Sequence, residues 1–487
     1  MQEMAFQAFK LSPQQRRLWM LGDKYGIDVF RCQAVVELEG SVSAEALKAA
    51  IMKSVERHEI LRTTFHCLAG MVIPAQVITS AGVSVEEIDL SSQPLHDRQD
   101  KLRSIIEESR RASFDFRSGP PLRASLIALE ADRHILALNL HSLYTDETGL
   151  NNLIREVVDN YGDGLATGDS SKEPLQYVDL AEWQNELLEL GETSVGRQYW
   201  QQKDYSSAEL PLLPLGAESS GRESFNPAMV NKALSVELSA AIKDLSNKSS
   251  ISEELILFAC WQVLIFRLTG QTDFVVRVGY DGRKYDGLDK ALGLFVRYLP
   301  TRCRLDADLR FSQLLKQVEE EVSSMKRHQE YFRWDLINES HRELLSDNLS
   351  QIGFSYSERA TRLDLPGIIF NVAGLHAVVD GFTINLSCLR TENGLSAEIH
   401  FNSDRYAEDE IQRLMERFEK LVRSATASPD KAAGNLEFLS DAEFHQVVRE
   451  WNRTERDYAG ACSIHKLFES QAALSPQAIA LISDNQE

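Results

Sequence analysis

Residues 133–161, RHILALNLHSLYTDETGLNNLIREVVDNY, change periodicity midway. RHILALNL, at 133–140, is a short apolar run that reads as a buried strand. In LNNLIREVVDNY, the apolar residues Leu150, Leu153, Ile154, Val157, Val158 and Tyr161 fall on one helical face. HSLYTDETG, at 141–149, therefore occupies a strand-to-helix junction, with Asp146 or Thr145 placed to cap the first helical turn.

Working outward, SAEALKAAIMKSVERHEILRTTF reads as an amphipathic helix capped by Ser43 and running into a turn or strand. GDGLATGDSSKEP, at 162–174, is the clearest linker, rich in Gly, Ser, Asp and Pro without apolar periodicity. YVDLAEWQNELLELG then reads as a helix, and about 190–228 as irregular. VNKALSVELSAAIKDLSNKSS opens a second α/β half. Its centre, Ile251 to Gly270, is a strongly apolar helix with Ser252 at its start. TDFVVRVGY, LPTRCRL, HAVVDGFTINLSCLR and LSAEIHFN are expected strands, and Ala407 to Thr426 an expected helix. From about 440 the character changes, and IHKLFESQAALSPQAIALISDNQE starts a helix-then-strand pattern that stops in mid-course, as a piece of a longer polypeptide would.

The 487 residues suffice for two to four domains, and 43% hydrophobic with 26% charged residues is the composition of a soluble globular protein. A formal charge of −21 argues against nucleic acid or an anionic membrane as partner, because phosphate binding needs clustered cations. The six cysteines include no C-x-x-C pair, so neither a metal site nor a redox pair is expected, and free thiols suit a reducing cytosol. MQEMAFQAFKLS lacks the apolar core of a signal peptide, and LILFACWQVLIF at 255–266 is too short to span a bilayer. The expected setting is cytoplasmic.

Several segments, in order, resemble the motifs of a condensation domain of a nonribosomal peptide synthetase. LSPQQRRLWML at 11–21 is similar to S-x-x-Q-x-R-L-W, and RHEILRTTF at 57–65 to the second motif. HSLYTDETG lies where the family carries H-H-x-x-x-D-G. YVDLAEWQ at 177–184, LGLFVRYLP at 292–300 and HQEYFRWD at 328–335 resemble the fourth, fifth and sixth motifs. EWNRTERDY followed by IHKLFESQAALSP resembles the lead-in to an adenylation domain.

The resemblance implies an α/β fold of two chloramphenicol acetyltransferase-like lobes in a V with a central tunnel. It places the lobes at 1–174 and 175–450, and the start of an adenylation domain at 451–487. It further implies that upstream donor and downstream acceptor peptidyl carrier domains insert 4'-phosphopantetheine arms, and that an aminoacyl amine attacks the donor thioester to form an amide, with ester formation as the alternative outcome between carrier-bound acyl groups. The domain itself binds no cofactor or metal.

Within that resemblance the third motif departs from the family. His141 falls on the first histidine, Ser142 replaces the second, Asp146 falls on the aspartate, and Glu147 replaces the glycine. An imidazole accepts a proton near neutral pH, whereas a serine hydroxyl needs another group to take its own. Ser142 thus has three readings: a spectator, a weak orienter of the amine, or the mark of lost peptide-bond chemistry. His141 is expected to hydrogen-bond within the core, with a catalytic role as the alternative. Asp146 is expected to pair with Arg62 as a structural bridge. Glu147 is an ordinary first-turn carboxylate, or else it projects into the tunnel and either takes over as a base or recognises a cationic substrate. Tyr144, Gly149, Arg297, Tyr298 and Ser355 are the expected tunnel or substrate residues. The competing function is a silent or altered condensation-like platform that recruits a tailoring enzyme or modifies a tethered residue.

Overall fold

Two six-stranded sheets organise the chain. The computed structural model describes residues 7–67, 70–80, 82–163, 173–189, 195–209, 211–216, 224–333, 352–455 and 463–479. The strands are β1 (Ala8–Phe9), β2 (Arg31–Gly40), β3 (Thr63–His66), β4 (Ala75–Ile78), β5 (Ser84–Asp89), β6 (Leu122–Glu130), β7 (Arg133–His141), β8 (Pro227–Ala233), β9 (Asp273–Tyr280), β10 (Arg297–Arg304), β11 (Ile352–Glu358), β12 (Arg362–Leu365), β13 (Ile368–Ala377), β14 (Ile384–Thr391) and β15 (Gly394–Asn402). The longer helices of the two lobes are α1 (Pro13–Tyr25), α2 (Ala44–Arg57), α3 (Leu95–Arg111), α4 (Glu147–Asp163), α5 (Tyr177–Glu189), α6 (Val195–Gln202), α7 (Val236–Ser249), α8 (Glu253–Thr269), α9 (Phe311–His328) and α10 (Glu408–Ala427).

The first sheet runs β12-β13-β2-β7-β6-β5, and the second runs β10-β9-β11-β14-β15-β8. In the first, β2 and β7 are antiparallel at the centre, and alternate residues Ala34, Val36 and Leu38 are buried. Helix α2 starts where Ser43 accepts a hydrogen bond from the Ala46 amide, and it buries Leu47, Ala50, Ile51 and Val55. Helix α4 starts where Asp146 Oδ1 accepts from the Gly149 amide at 2.8 Å, so Asp146 is the cap, not Thr145.

Helix α8 is apolar on every side and correspondingly buried from Leu255 to Phe266. It packs on α9, α10 and the second sheet, and Trp261 Nε1 donates to the Gly353 carbonyl at 3.1 Å. No described helix is long and apolar enough to cross a membrane.

The two lobes exchange chain in both directions, which a sequential split at residue 174 does not foresee. HAVVDGFTINLSCLR is not one strand: β13 ends at Ala377 in the first sheet, and β14 starts at Ile384 in the second. Strands β12 and β13 thus belong to the first sheet. In return, Leu288, Leu292, Leu294 and Phe295, which follow β9 of the second sheet, join the first lobe's core. Residues 190–228 are less irregular than expected, since α6 anchors there through Trp200, whose Nε1 donates to the His328 carbonyl at 2.8 Å. Most of the 162–174 linker, Trp334 and Asp335 of the sixth-motif segment, and the end of the expected terminal strand lie outside the described residues.

Leu439–Glu487 forms a separate unit. Its first helix, Asp441–His445, is capped by Ser440 with Glu443 reaching back, and its last described helix is Ile464–Leu474.

The crossing at 281–296 depends on Gly293, which has φ +146° and where a Cβ would lie 2.0 Å from the Tyr177 ring. Tyr177 cannot yield easily, because its hydroxyl donates to the Leu294 carbonyl at 2.6 Å. Gly293→Ala is expected to lower stability by about 1–3 kcal/mol. A reduced urea midpoint at unchanged slope would show it.

Candidate active site

The junction at 141–149 hangs from the end of β7. His141 pairs with Arg31 in the β2 ladder, and its ring lies edge-on to Phe116 at 4.8 Å. The Leu143 amide donates to Nδ1 at 3.1 Å, so the ring carries its proton on Nε2 and donates it to the Ile27 carbonyl at 2.8 Å. Burial pushes the His141 pKa down to about 4. A neutral ring with both nitrogens engaged holds the loop and has no lone pair left to offer in this arrangement.

Ser142 is fully buried. Its hydroxyl donates to the Val378 carbonyl at 2.7 Å and touches Cys32 Sγ at 3.4 Å. Burial pushes the Cys32 thiol up to about 12, so no thiolate stands ready to take the serine proton. Tyr144 is buried in the first lobe's core, with its ring 5.3 Å from Phe65, and lines no part of the cleft described below. Gly149 serves packing too: a Cβ there would stand 2.5 Å from Thr145 Oγ1 and 3.1 Å from Arg283 Nη2.

Asp146 is not paired with Arg62. Its carboxylate faces Arg283, with Nη2 at 2.8 Å from Oδ1 and Nη1 at 3.1 Å from Oδ2. Oδ2 also accepts from the Phe295 and Val296 amides at 2.8 and 2.9 Å. Burial alone would lower the Arg283 pKa, but Asp146 and Asp281 outweigh it and raise it. Arg62 instead points at the end of α2, donating to the Val55 and Glu56 carbonyls at 3.2 Å each. A cation there complements the helix C-terminus, which satisfies Arg62 without a carboxylate.

A narrow cleft lies where the lobes meet. Glu147 from α4, Tyr298 from β10, Ser355 from β11, Asn385 from β14, His400 from β15 and Asp380 from the crossing segment line it. Its cavity volume is about 50 Å³, room for a water or two rather than an aminoacyl group. Three of the residues expected from sequence, Glu147, Tyr298 and Ser355, are therefore brought together. Glu147 is not a free base: Oε1 forms an ion pair with Arg359 and accepts from Ser357 Oγ at 3.3 Å. Burial raises the Tyr298 phenol above its usual range, and its ring packs edge-on to Phe382 at 4.6 Å. Arg297 is absent from the cleft lining: Nη1 donates to the Gln329 carbonyl at 2.8 Å, and burial lowers its pKa.

Sequence reasoning missed Asp380. It is 4% exposed and accepts from Arg277 Nη1 at 2.9 Å and from Arg17 Nη2 at 3.2 Å. Burial works against the charged carboxylate, but Arg17 and Arg277 outweigh it and hold the pKa below the usual range. The available signal was the Asp-Gly step inside HAVVDGFT, which a continuous strand does not favour. Arg283, Arg359 and His400 carried no sequence signal, because each stands outside the motif that it serves.

A family model described as Condensation domain matches residues 6–448. A linear gramicidin synthase of Brevibacillus parabrevis is 28% identical over 487 residues, covering 98% of this chain and 10% of that protein. The chain thus spans about a tenth of that relative's length. Among solved structures, the condensation domain from the monacolin K polyketide synthase MokA superposes with a TM-score of 0.74 at 19% identity, covering 88% of this chain and 99% of that one. The complex of the X-domain and OxyB from teicoplanin biosynthesis gives a TM-score of 0.71 at 21% identity, covering 89% of this chain and 97% of that one.

The pairing of Asp146 is open to a direct contrast. Asp146→Ala leaves Arg283 buried without its main partner and is expected to cost about 3–5 kcal/mol, whereas Arg62→Ala is expected to cost about 1 kcal/mol, the scale of a helix-end interaction. Urea unfolding of the two variants separates them. His141 generates a pH dependence of its own. Its folded pKa of about 4 lies below the unfolded value of 6.5, so the unfolded state binds more protons between these limits. Its contribution is therefore intact above the unfolded pKa and erodes as pH falls, by about 2 kcal/mol from pH 7 to pH 5. Unfolding at both pH values is expected to show that loss in the wild type and a smaller one in His141→Asn.

Proposed function

The chain belongs to the condensation-domain family of nonribosomal peptide synthetases, and on that premise we propose that it joins a carrier-bound acyl donor to an aminoacyl acceptor by forming an amide. The observation that carries this reading is the cleft where the lobes meet, into which both contribute polar side chains over a scaffold matched from residue 6 to 448. The substrates arrive on the phosphopantetheine arms of an upstream and a downstream carrier domain. The segment after Leu439 leads towards an adenylation domain. Holding thioester and amine in attacking geometry is worth about 7–11 kcal/mol, so a reaction between two tethered groups does not require the missing histidine.

A second reading has one observation in its favour. Ser142 gives its only proton to a main-chain carbonyl, and the third motif offers no free base. A fold that keeps its surfaces but has no proton acceptor at the usual position suits a platform that recruits a tailoring enzyme. The likeness to an X-domain known in complex with OxyB is compatible with that.

The deciding measurement loads donor and acceptor carrier domains, mixes them with this chain and follows condensed product by mass spectrometry. Amide formation by the wild type is expected. No product from the wild type, with product restored in Ser142→His, would establish a silenced site. Calorimetric binding of a tailoring enzyme by an inactive wild type would favour the platform.

A further inference from the structure

Four titratable side chains line the cleft: Glu147, Tyr298, Asp380 and His400. Glu147 is tied to Arg359 and Ser357, and Asp380 sits between Arg17 and Arg277. Tyr298 is held as a neutral phenol. His400 is different. It lies on β15, half-buried, with Nε2 at 3.4 Å from Glu398 Oε2 on the same face of the strand. Its ring stacks on that of His376 from β13, with centroids 5.4 Å apart and planes 27° apart. Among the described residues no hydrogen bond engages either ring nitrogen of His400, and Glu398 approaches Nε2 as a charge alone.

We propose that His400 is the proton acceptor of the cleft, oriented by Glu398, in the amide-forming reaction on which this inference rests. The carboxylate favours the tautomer with the proton on Nε2, which leaves the Nδ1 lone pair for the substrate amine, directly or through one water. The amine nitrogen attacks the thioester carbon, and the C–N bond forms. His400 takes the proton that the nitrogen sheds. The C–S bond then breaks, and the departing sulfur receives that proton to leave as a thiol. The imidazole ends as it began, with no oxidant or metal required.

The surroundings tolerate the transient imidazolium. Burial, then His400 itself and Arg110 on α3, depress the His376 pKa to about 3, so the stacked ring stays neutral and does not repel it. Glu398 supplies a compensating charge, and the remaining carboxylates of the cleft, Glu147 and Asp380, are already matched to arginines. The position is one that motif reading overlooks, because β15 lies some 250 residues beyond the third motif in HFN, an ordinary strand ending.

The test uses the full chain with loaded donor and acceptor carriers under single turnover. His400→Ala is expected to slow amide formation by about 100-fold, with free imidazole restoring part of the rate. Glu398→Gln is expected to slow it by about 10-fold. Thermal melting checks that the variants fold, and His400→Gln, which keeps a polar side chain but cannot relay a proton, is read if the alanine variant does not. A rate for either folded His400 variant within about threefold of wild type overturns the assignment while leaving the amide-forming reading intact. So does a large loss in His400→Ala that imidazole does not relieve. No product from the wild type overturns the amide-forming reading, and this assignment with it.

Discussion

A carboxylate withdrawn from water must find its donors inside the protein, and Asp146 finds five. Gly149 supplies one from the helix that Asp146 begins, and Arg283, Phe295 and Val296 supply the rest from beyond β9. The arrangement fixes more than one charge. It holds the loop that carries His141 and Ser142 against a segment that has crossed from the second sheet, and so sets how the lobes meet. Arg283 is equally committed, at 1% exposure, and its guanidinium lies 4.4 Å over the Phe295 ring. Removing Arg283 leaves Asp146 as a buried charge without a cation, and removing Asp146 leaves Arg283 with Asp281 alone.

The reverse crossing obeys the same rule. Val378–Thr383 passes from the first sheet to the second and carries Asp380 between Arg17 of α1 and Arg277 of β9, one arginine from each lobe. The carbonyl of Val378, at the start of that crossing, is what Ser142 binds. Glu147 and Arg359 make a third link between the lobes, but this carboxylate is 36% exposed, against 4% for Asp380. An ion pair that water reaches is worth less and separates at lower cost. The cleft has a volume of about 50 Å³, and the weakest of these links, at Glu147, stands at its edge.

Local structure was largely legible in the sequence because its signals are local. Ser43 and Ser252 cap the helices that they precede, and the eleven apolar positions of α8 between Leu255 and Phe266 bury as their pattern requires. The strand-to-helix junction at 141–149 was legible for the same reason, since both flanking periodicities are strong. What failed was non-local. The Arg62–Asp146 bridge came from resemblance, and nothing in the periodicity distinguishes Arg62 from Arg283, which lies 137 residues from the aspartate that it meets. The continuous reading of HAVVDGFTINLSCLR failed because its apolar pattern describes two strands equally well. Where the chain leaves one sheet for the other, Asp380 meets an arginine from each lobe, a contact that no local pattern announces.

On the proposed amide-forming reading, the substitution at Ser142 carries less chemical consequence than its place in a motif suggests. General base catalysis by a positioned side chain contributes about 10²–10⁴-fold, or about 3–5 kcal/mol, while bringing two tethered reactants together contributes about 7–11 kcal/mol. The larger contribution depends on the cleft and on the carboxylate–arginine links that shape it, and those are intact. A serine in place of histidine therefore does not by itself silence such a site. It removes an imidazole from one wall, while β15 presents another from the opposite lobe beside its own carboxylate. On that same reading, losing the cleft would be the graver change: without Asp146 the loop and the crossing segment lose their common anchor, and no imidazole on either wall would make up for it.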